Sequence, residues 1–228
     1  MKMNSIRRYV AIYGIILISS ILSCTLSAQS GNSDDILRKM SSAIEEMGAI
    51  ALEFNLKPGP GTESMFGEAG YSGIAEAQGN SFKMVSPDFE IFCDGESKWF
   101  LSVDSDELAI FPNDTNQTDI FENPIGFLKS LISGKSSGYK YSQRAVQSAD
   151  GKSWNVELAP SGKNSLCKNM IISIGKSDYL PSAVVYNGTD GSNYKIEISS
   201  LKRVMEWSDK NFVFPDGRMK GLQVTDLR

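Results

Sequence analysis

Apolar and polar positions alternate along the stretch from Tyr71 to Pro112. Phe82 and Met84, then Phe89, Ile91 and Cys93, then Trp99, Leu101 and Val103, then Leu108 and Ile110 fall on one parity, with Lys83, Glu90 and Ser102 between them. A period of two predicts strands that bury one face and wet the other. The interruptions are turn chemistry: Gly79-Asn80, Ser86-Pro87-Asp88, Asp94-Gly95 and Asp104-Ser105-Asp106. Gly-Asn and Asp-Gly supply the positive φ that tight hairpins require. Links this short leave no room for crossover helices, so neighbouring strands should be antiparallel. The expected product is a meander with an aromatic, apolar concave face.

Before the meander, Ile36, Leu37, Met40, Ala43, Ile44 and Met47 recur at helical spacing, preceded by Ser33-Asp34-Asp35 and followed by Gly48. This predicts an amphipathic helix with a Met-rich face, capped and charged at its start. Ile50, Leu52, Phe54 and Leu56 alternate as a first strand, and a Gly/Pro-rich loop runs from Pro58 to Gly70. Asn123-Pro124 predicts a second helix start, because Pro is well placed at the first helical position. Its apolar stripe is Phe127, Leu128, Leu131 and Ile132, with Gly134 as the expected stop. Further hairpins follow around Ala149-Asp150-Gly151, Gly175 to Tyr179 and Asn187 to Ser192, and the stretches 212–217 and 221–228 read as a closing segment. No linker divides the chain, which predicts one domain.

The N-terminus departs from this pattern. Met1 to Arg8 is basic and Val10 to Leu22 is almost wholly apolar, which predicts a secretory signal segment over residues 1–28 and a mature domain over 29–228. Ser27-Ala28 before Gln29 resembles a signal-peptidase site, whereas Ile21-Leu22-Ser23-Cys24 loosely resembles a lipobox. The first is favoured, since Leu22 fits a lipobox poorly, and lipid anchoring at Cys24 stays open as the second outcome. Of the three cysteines, Cys93 and Cys167 would remain in the mature chain. An oxidising compartment permits their pairing, but lone strand cysteines equally serve as small buried hydrophobes.

Composition then removes whole classes of chemistry. The 228 residues contain no histidine, so no Ser-His-Asp, Cys-His or His-based metal site can form. The formal charge of −4 falls by three, to −7, when Lys2, Arg7 and Arg8 are cleaved away. Such a chain lacks the basic footprint of a nucleic-acid binder. Gly134 to Gly138 matches G-x-S-x-G and Ser165 to Lys168 matches S-x-x-K. The first lacks a strand before it and a helix after, and the second lacks its companion motifs. No catalytic residue, cofactor or metal site is expected.

The order of these pieces resembles the periplasmic lipoprotein carrier family LolA, most closely the LolA-like proteins of Bacteroidetes. The resemblance rests on the run from Gly73 to Met84, the run from Ser86 to Gly95 with Trp99, and the Asn-Pro-Ile-Gly-Phe-Leu-Lys stretch from Asn123. It extends to Tyr179-Leu180-Pro181, Phe214-Pro215-Asp216-Gly217 and Val224 to Arg228, and so spans nearly the whole mature chain. It implies an α+β fold: a single domain built as an unclosed antiparallel β-barrel, a half-barrel with helices covering its concave face. It further implies a monomer that shields lipoprotein acyl chains, receives them from an ATP-driven inner-membrane exporter and delivers them to an outer-membrane acceptor of unknown identity. Ala77-Gln78-Gly79 stands where Proteobacterial carriers tend to have a basic residue followed by Pro, so gating and docking are not carried over there.

On that reading the acyl-chain-binding residues are Phe54, Phe82, Met84, Phe89, Ile91, Trp99 and Leu101. The lid residues are Met40, Ile44, Met47, Phe127, Leu128 and Leu131. A periplasmic or membrane-anchored half-barrel that acts as a sensor or acceptor for lipid or a regulatory protein is the alternative.

Overall fold

Asn32 starts the first helix. Its side-chain oxygen accepts a hydrogen bond from the Asp35 N–H at 3.1 Å, so the cap lies one residue before the Ser33-Asp34-Asp35 cluster expected to supply it. The computed structural model describes residues 30–60, 62, 70–114, 120–131, 139–142, 144–162, 165–205 and 207–228. The signal segment with Cys24, the stripe residue Ile132 and the G-x-S-x-G match lie outside them. Helix α1 (Ser33–Met47) ends at Gly48, whose φ of +69° is open to glycine at little cost and whose N–H donates to the Glu45 carbonyl. Ile36, Leu37, Met40 and Ile44 are buried on one face. Each contributes roughly 1.5–3 kcal/mol on burial. That outweighs intrinsic propensity differences of about 0.7 kcal/mol or less per residue. Docking on the sheet therefore holds the helix.

The strands before the second helix are β1 (Ser30–Asn32), β2 (Ile50–Pro58), β3 (Tyr71–Gln78), β4 (Ser81–Val85), β5 (Phe89–Cys93), β6 (Ser97–Ser102) and β7 (Glu107–Pro112). Helix α2 (Pro124–Ser130) follows, shorter than the sequence stripe suggested, with Asn123 accepting from the Gly126 N–H at 2.8 Å. The later strands are β8 (Tyr139–Tyr141), β9 (Arg144–Gln147), β10 (Ser153–Pro160), β11 (Cys167–Gly175), β12 (Pro181–Gly188) and β13 (Asn193–Arg203). A 3₁₀ turn (Asp209–Phe212), helix α3 (Asp216–Met219) and strand β14 (Gln223–Asp226) close the chain.

All of these strands join one unclosed sheet. Its order is β1-β9-β10-β11-β12-β13-β2-β3-β4-β5-β6-β7-β14, with β8 also paired to β10. The pairings are antiparallel except for β14 on β7, which is parallel. This is the half-barrel architecture implied by the sequence. The central join, β13 against β2, links the two halves of the chain.

The sheet carries apolar residues on both faces at β5 to β7, which corrects the single-face reading of the meander. Asp94 accepts from the N–H groups of Glu96 and Ser97, at 2.9 and 2.8 Å, and closes a turn that pairs Cys93 with Lys98. In that register Phe92 lies opposite Trp99 and Ile91 opposite Phe100. Odd positions of β5 thus share a face with even positions of β6. An offset of one residue turns every side chain over. Trp99, Leu101, Leu108 and Ile110 therefore point away from α1 and α2 and pack with Phe92 around Phe214, Met219 and Leu222 of the closing segment. Phe214 meets Phe92 edge-on at 5.4 Å, and Arg218 binds both carboxylate oxygens of Glu90 at 2.7 and 3.0 Å.

Candidate functional site

The helix-covered face gathers most of the residues expected to line an acyl-chain site. Phe54, Phe82, Met84 and Ile91 are buried there, with Phe89 packed against them. The expected lid residues Met40, Ile44, Phe127, Leu128 and Leu131 belong to the same cluster, and Met47 packs on its edge. Trp99 and Leu101 do not join them. They lie on the outer face under the closing segment, a correction that follows from the β5–β6 turn. Beneath α1 and α2 the face is filled, with Met84 and Ile91 each 1% exposed and Leu128 2% exposed. Both helices lie packed directly on the sheet.

Open space begins beside α2. A cavity of about 700 Å³ lies between that helix and the turn-bearing ends of β3 to β7. Ala77 pairs with Phe82, Phe82 with Cys93, Cys93 with Lys98, and Lys98 with Phe111, so one cross-strand row runs along the sheet side of the cavity. Ile125, Gly126 and Lys129 contribute the helix side. Lys98 is bound to Glu122 at 2.6 Å and lies 6.0 Å from the Phe111 ring centroid. Burial pushes the Lys129 ammonium below the usual lysine range, against a smaller opposing pull from Glu45. Among the described residues no carboxylate forms an ion pair with it.

Sequence reasoning missed Phe100, Phe111, Lys98 and Lys129. A signal for the two aromatics was present: Trp99-Phe100-Leu101 and Ala109-Ile110-Phe111 are uninterrupted apolar runs, and such runs mark strands buried on both faces. Phe100 is 36% exposed on the helix-covered side. It stacks on Phe89 at 5.8 Å, Phe89 meets Tyr71 edge-on at 5.6 Å, and Tyr71 meets Phe54 at 5.9 Å. This aromatic ladder leads from the buried core to the surface across five neighbouring strands, β2 to β6.

The two helices are fastened differently. Tyr141 donates to Asp34 at 2.7 Å, and Lys39 donates to the Tyr179 hydroxyl at 3.3 Å while its ammonium lies over that ring. These clasps tie α1 to β8 and to the β11–β12 turn. In α2 the Asn123 side chain caps the first turn, and the Ser130 hydroxyl donates to the Phe127 carbonyl. Ile125, Phe127, Leu128 and the adjoining Leu131 bury its apolar side in the main cluster.

Nothing among the described residues gathers three metal-ligating side chains. Ser165 of the S-x-x-K match accepts from the Cys167 N–H at 3.1 Å and serves a turn. Cys93 and Cys167 are both buried, and burial raises the pKa of Cys93. No helix of the described residues is long and apolar enough to cross a membrane.

Comparison with known protein families finds no match, and no curated protein matches. Solved structures do. An uncharacterised conserved protein from Thermus thermophilus is similar at a TM-score of 0.54 and 14% identity, over 85% of this chain and 98% of that one. The two chains share a fold. A LolA superfamily protein from Nitrosomonas europaea is among the similar structures, at a TM-score of 0.45 and 11% identity over 81% of this chain and 98% of that one. So is a protein described as a putative outer membrane lipoprotein-sorting protein domain from Vibrio parahaemolyticus, at 0.44 and 11% over 78% and 95%. At these identities the likeness is one of fold.

Proposed function

We propose that the protein is a periplasmic carrier that shields lipoprotein acyl chains on the helix-covered face of its half-barrel and moves them from the inner to the outer membrane. The observation that carries this reading is α2. A seven-residue helix, packed through Ile125, Phe127, Leu128 and the adjoining Leu131, covers the apolar sheet directly beside an open cavity. Displacing it would join Phe82, Met84 and Ile91 to the cavity and to the aromatic ladder. Each methylene sheltered from water is worth about 0.8 kcal/mol, so a carrier needs apolar area and a releasable cover, not catalysis. The cargo would come from an ATP-driven exporter and pass to an outer-membrane acceptor.

Shuttling requires a freely diffusing chain, so processing before Gln29 belongs to this proposal. Lipidation at Cys24 would leave a stably anchored acceptor or sensor. Mass spectrometry of the native N-terminus separates the two. The carrier reading itself is tested by mixing the purified protein with a diacylated lipoprotein and diluting away detergent. A soluble one-to-one complex is expected, lost when the acyl groups are removed. Equal binding of the deacylated protein would mean recognition of polypeptide, as in a sensor, and would end the carrier reading.

A further inference from the structure

We propose that the cavity beside α2 recognises an anionic headgroup: a single-chain amphiphile lies along Phe82, Phe111 and Ile125 and sets its carboxylate or phosphate against the Lys129 ammonium. This rests on the reading of the helix-covered face as a lipid site, and it names a ligand class for the cavity that remains open while the lid is closed.

Three features of the cavity support it. Its volume of about 700 Å³ falls within the roughly 300–1,000 Å³ typical of small-ligand sites. Its walls are amphipathic in the way a lipid end is, with Phe82, Phe111 and Ile125 beside polar Asn80, Asn113 and Lys129. Its two cations are not equivalent. Lys98 is committed to Glu122 at 2.6 Å, whereas Lys129 is half-buried on α2 with no ion-pair partner among the described residues. A cation already withdrawn from bulk water gains more from an incoming anion than an exposed one does. A neutral headgroup would cover the ammonium without compensating it, which disfavours such ligands. The carboxylates lining the cavity, Glu122 and Asp114, set the limit on its positive potential.

The test uses the purified, delipidated protein and three probes of one chain length: palmitate, palmitoyl lysophosphatidylglycerol and monopalmitoylglycerol. Binding is measured by calorimetry below the aggregation threshold of each probe. A charge-assisted hydrogen bond predicts that at least one anionic probe binds roughly tenfold to a hundredfold more tightly than the uncharged one. The anion that gains more identifies the source, free fatty acid or phospholipid headgroup. Lys129→Gln should abolish the difference and leave monopalmitoylglycerol unchanged. Glu122→Gln releases Lys98 and should strengthen anion binding several-fold, an opposite sign that misfolding cannot imitate. Equal affinity for all three probes, or anion binding unaffected by both substitutions, overturns the headgroup site. If the protein still retains diacylated lipoprotein in that case, the carrier reading survives it. If it retains neither lipoprotein nor any probe, both fall.

Discussion

Leu128→Ala separates a lid from a piece of core. Leu128 is 2% exposed and packs in the main cluster beneath α2. Truncating a buried leucine costs about 2–5 kcal/mol. If α2 leaves the sheet as a unit, that cost falls on the closed state alone, because the open state has already lost the contact. At about 1.4 kcal/mol per factor of ten, even the lower figure shifts the closed-to-open ratio nearly thirtyfold. The apparent affinity for an acyl chain then tightens by up to the same factor, until the open form dominates. Global stability falls by no more than the free energy of opening, since the chain retreats to the open state first. The assay pairs stopped-flow binding of a fluorescent fatty acid with urea unfolding. Faster, tighter binding with a muted stability loss is expected. A full loss of 2–5 kcal/mol (about what a fixed core leucine is worth) with unchanged binding would show that α2 is core and refute the lid.

Trp99 offers a second check: with Trp154 and Trp207 replaced by Phe, its emission should be unmoved by saturating palmitate, whereas a tryptophan placed at Phe82 should respond. A blue shift of Trp99 would contradict its outer-face position. Phe214→Ala removes the ring at the centre of the outer cluster, at a cost of about 3–5 kcal/mol. Trypsin should then cut near Arg218 and Lys220 well before the sheet unfolds, and cleavage at the wild-type rate would speak against the closing segment as a separately docked unit. Glu197, flanked by Lys195 and Lys57, has its pKa lowered to about 2. A carboxylate with a depressed folded pKa stabilises the protein above its ordinary value near 4.5, and that contribution fades as pH falls through about 2. An NMR titration should find this depression, and Lys57→Met should raise the pKa; a Glu197 that titrates at its ordinary value would exclude these ion pairs in solution.

Much of the architecture was legible because its signals are local. The 3.6-residue spacing of Ile36, Met40 and Ile44 and the Asn123-Pro124 start placed both helices on their apolar stripes. The Gly79-Asn80, Asp94-Gly95 and Gly151 turns placed the hairpins. Phe54, Phe82, Met84, Phe89 and Ile91, the residues expected to line the site, came to one face because each continues the parity of its own strand into the next. Trp99 and Leu101 failed at a single turn. Their strand is apolar on both faces, so alternation within it could not tell which face meets the helices, and the Asp94 hydrogen bonds that set the register are a property of the folded turn.

What the amino-acid sequence determined by itself is the set of elements, their order, their apolar stripes and the absence of histidine chemistry, since each depends on neighbours within a few residues or on composition. What only the tertiary structure decided is how those stripes meet. It paired β13 with β2 and laid β14 parallel on β7, and it placed Phe214 over the outer face. It also left a cavity between α2 and the row from Ala77 to Phe111. These contacts join residues far apart along the chain. Their registers are settled by which arrangement buries the most apolar surface with every backbone group paired, a condition that no local window contains.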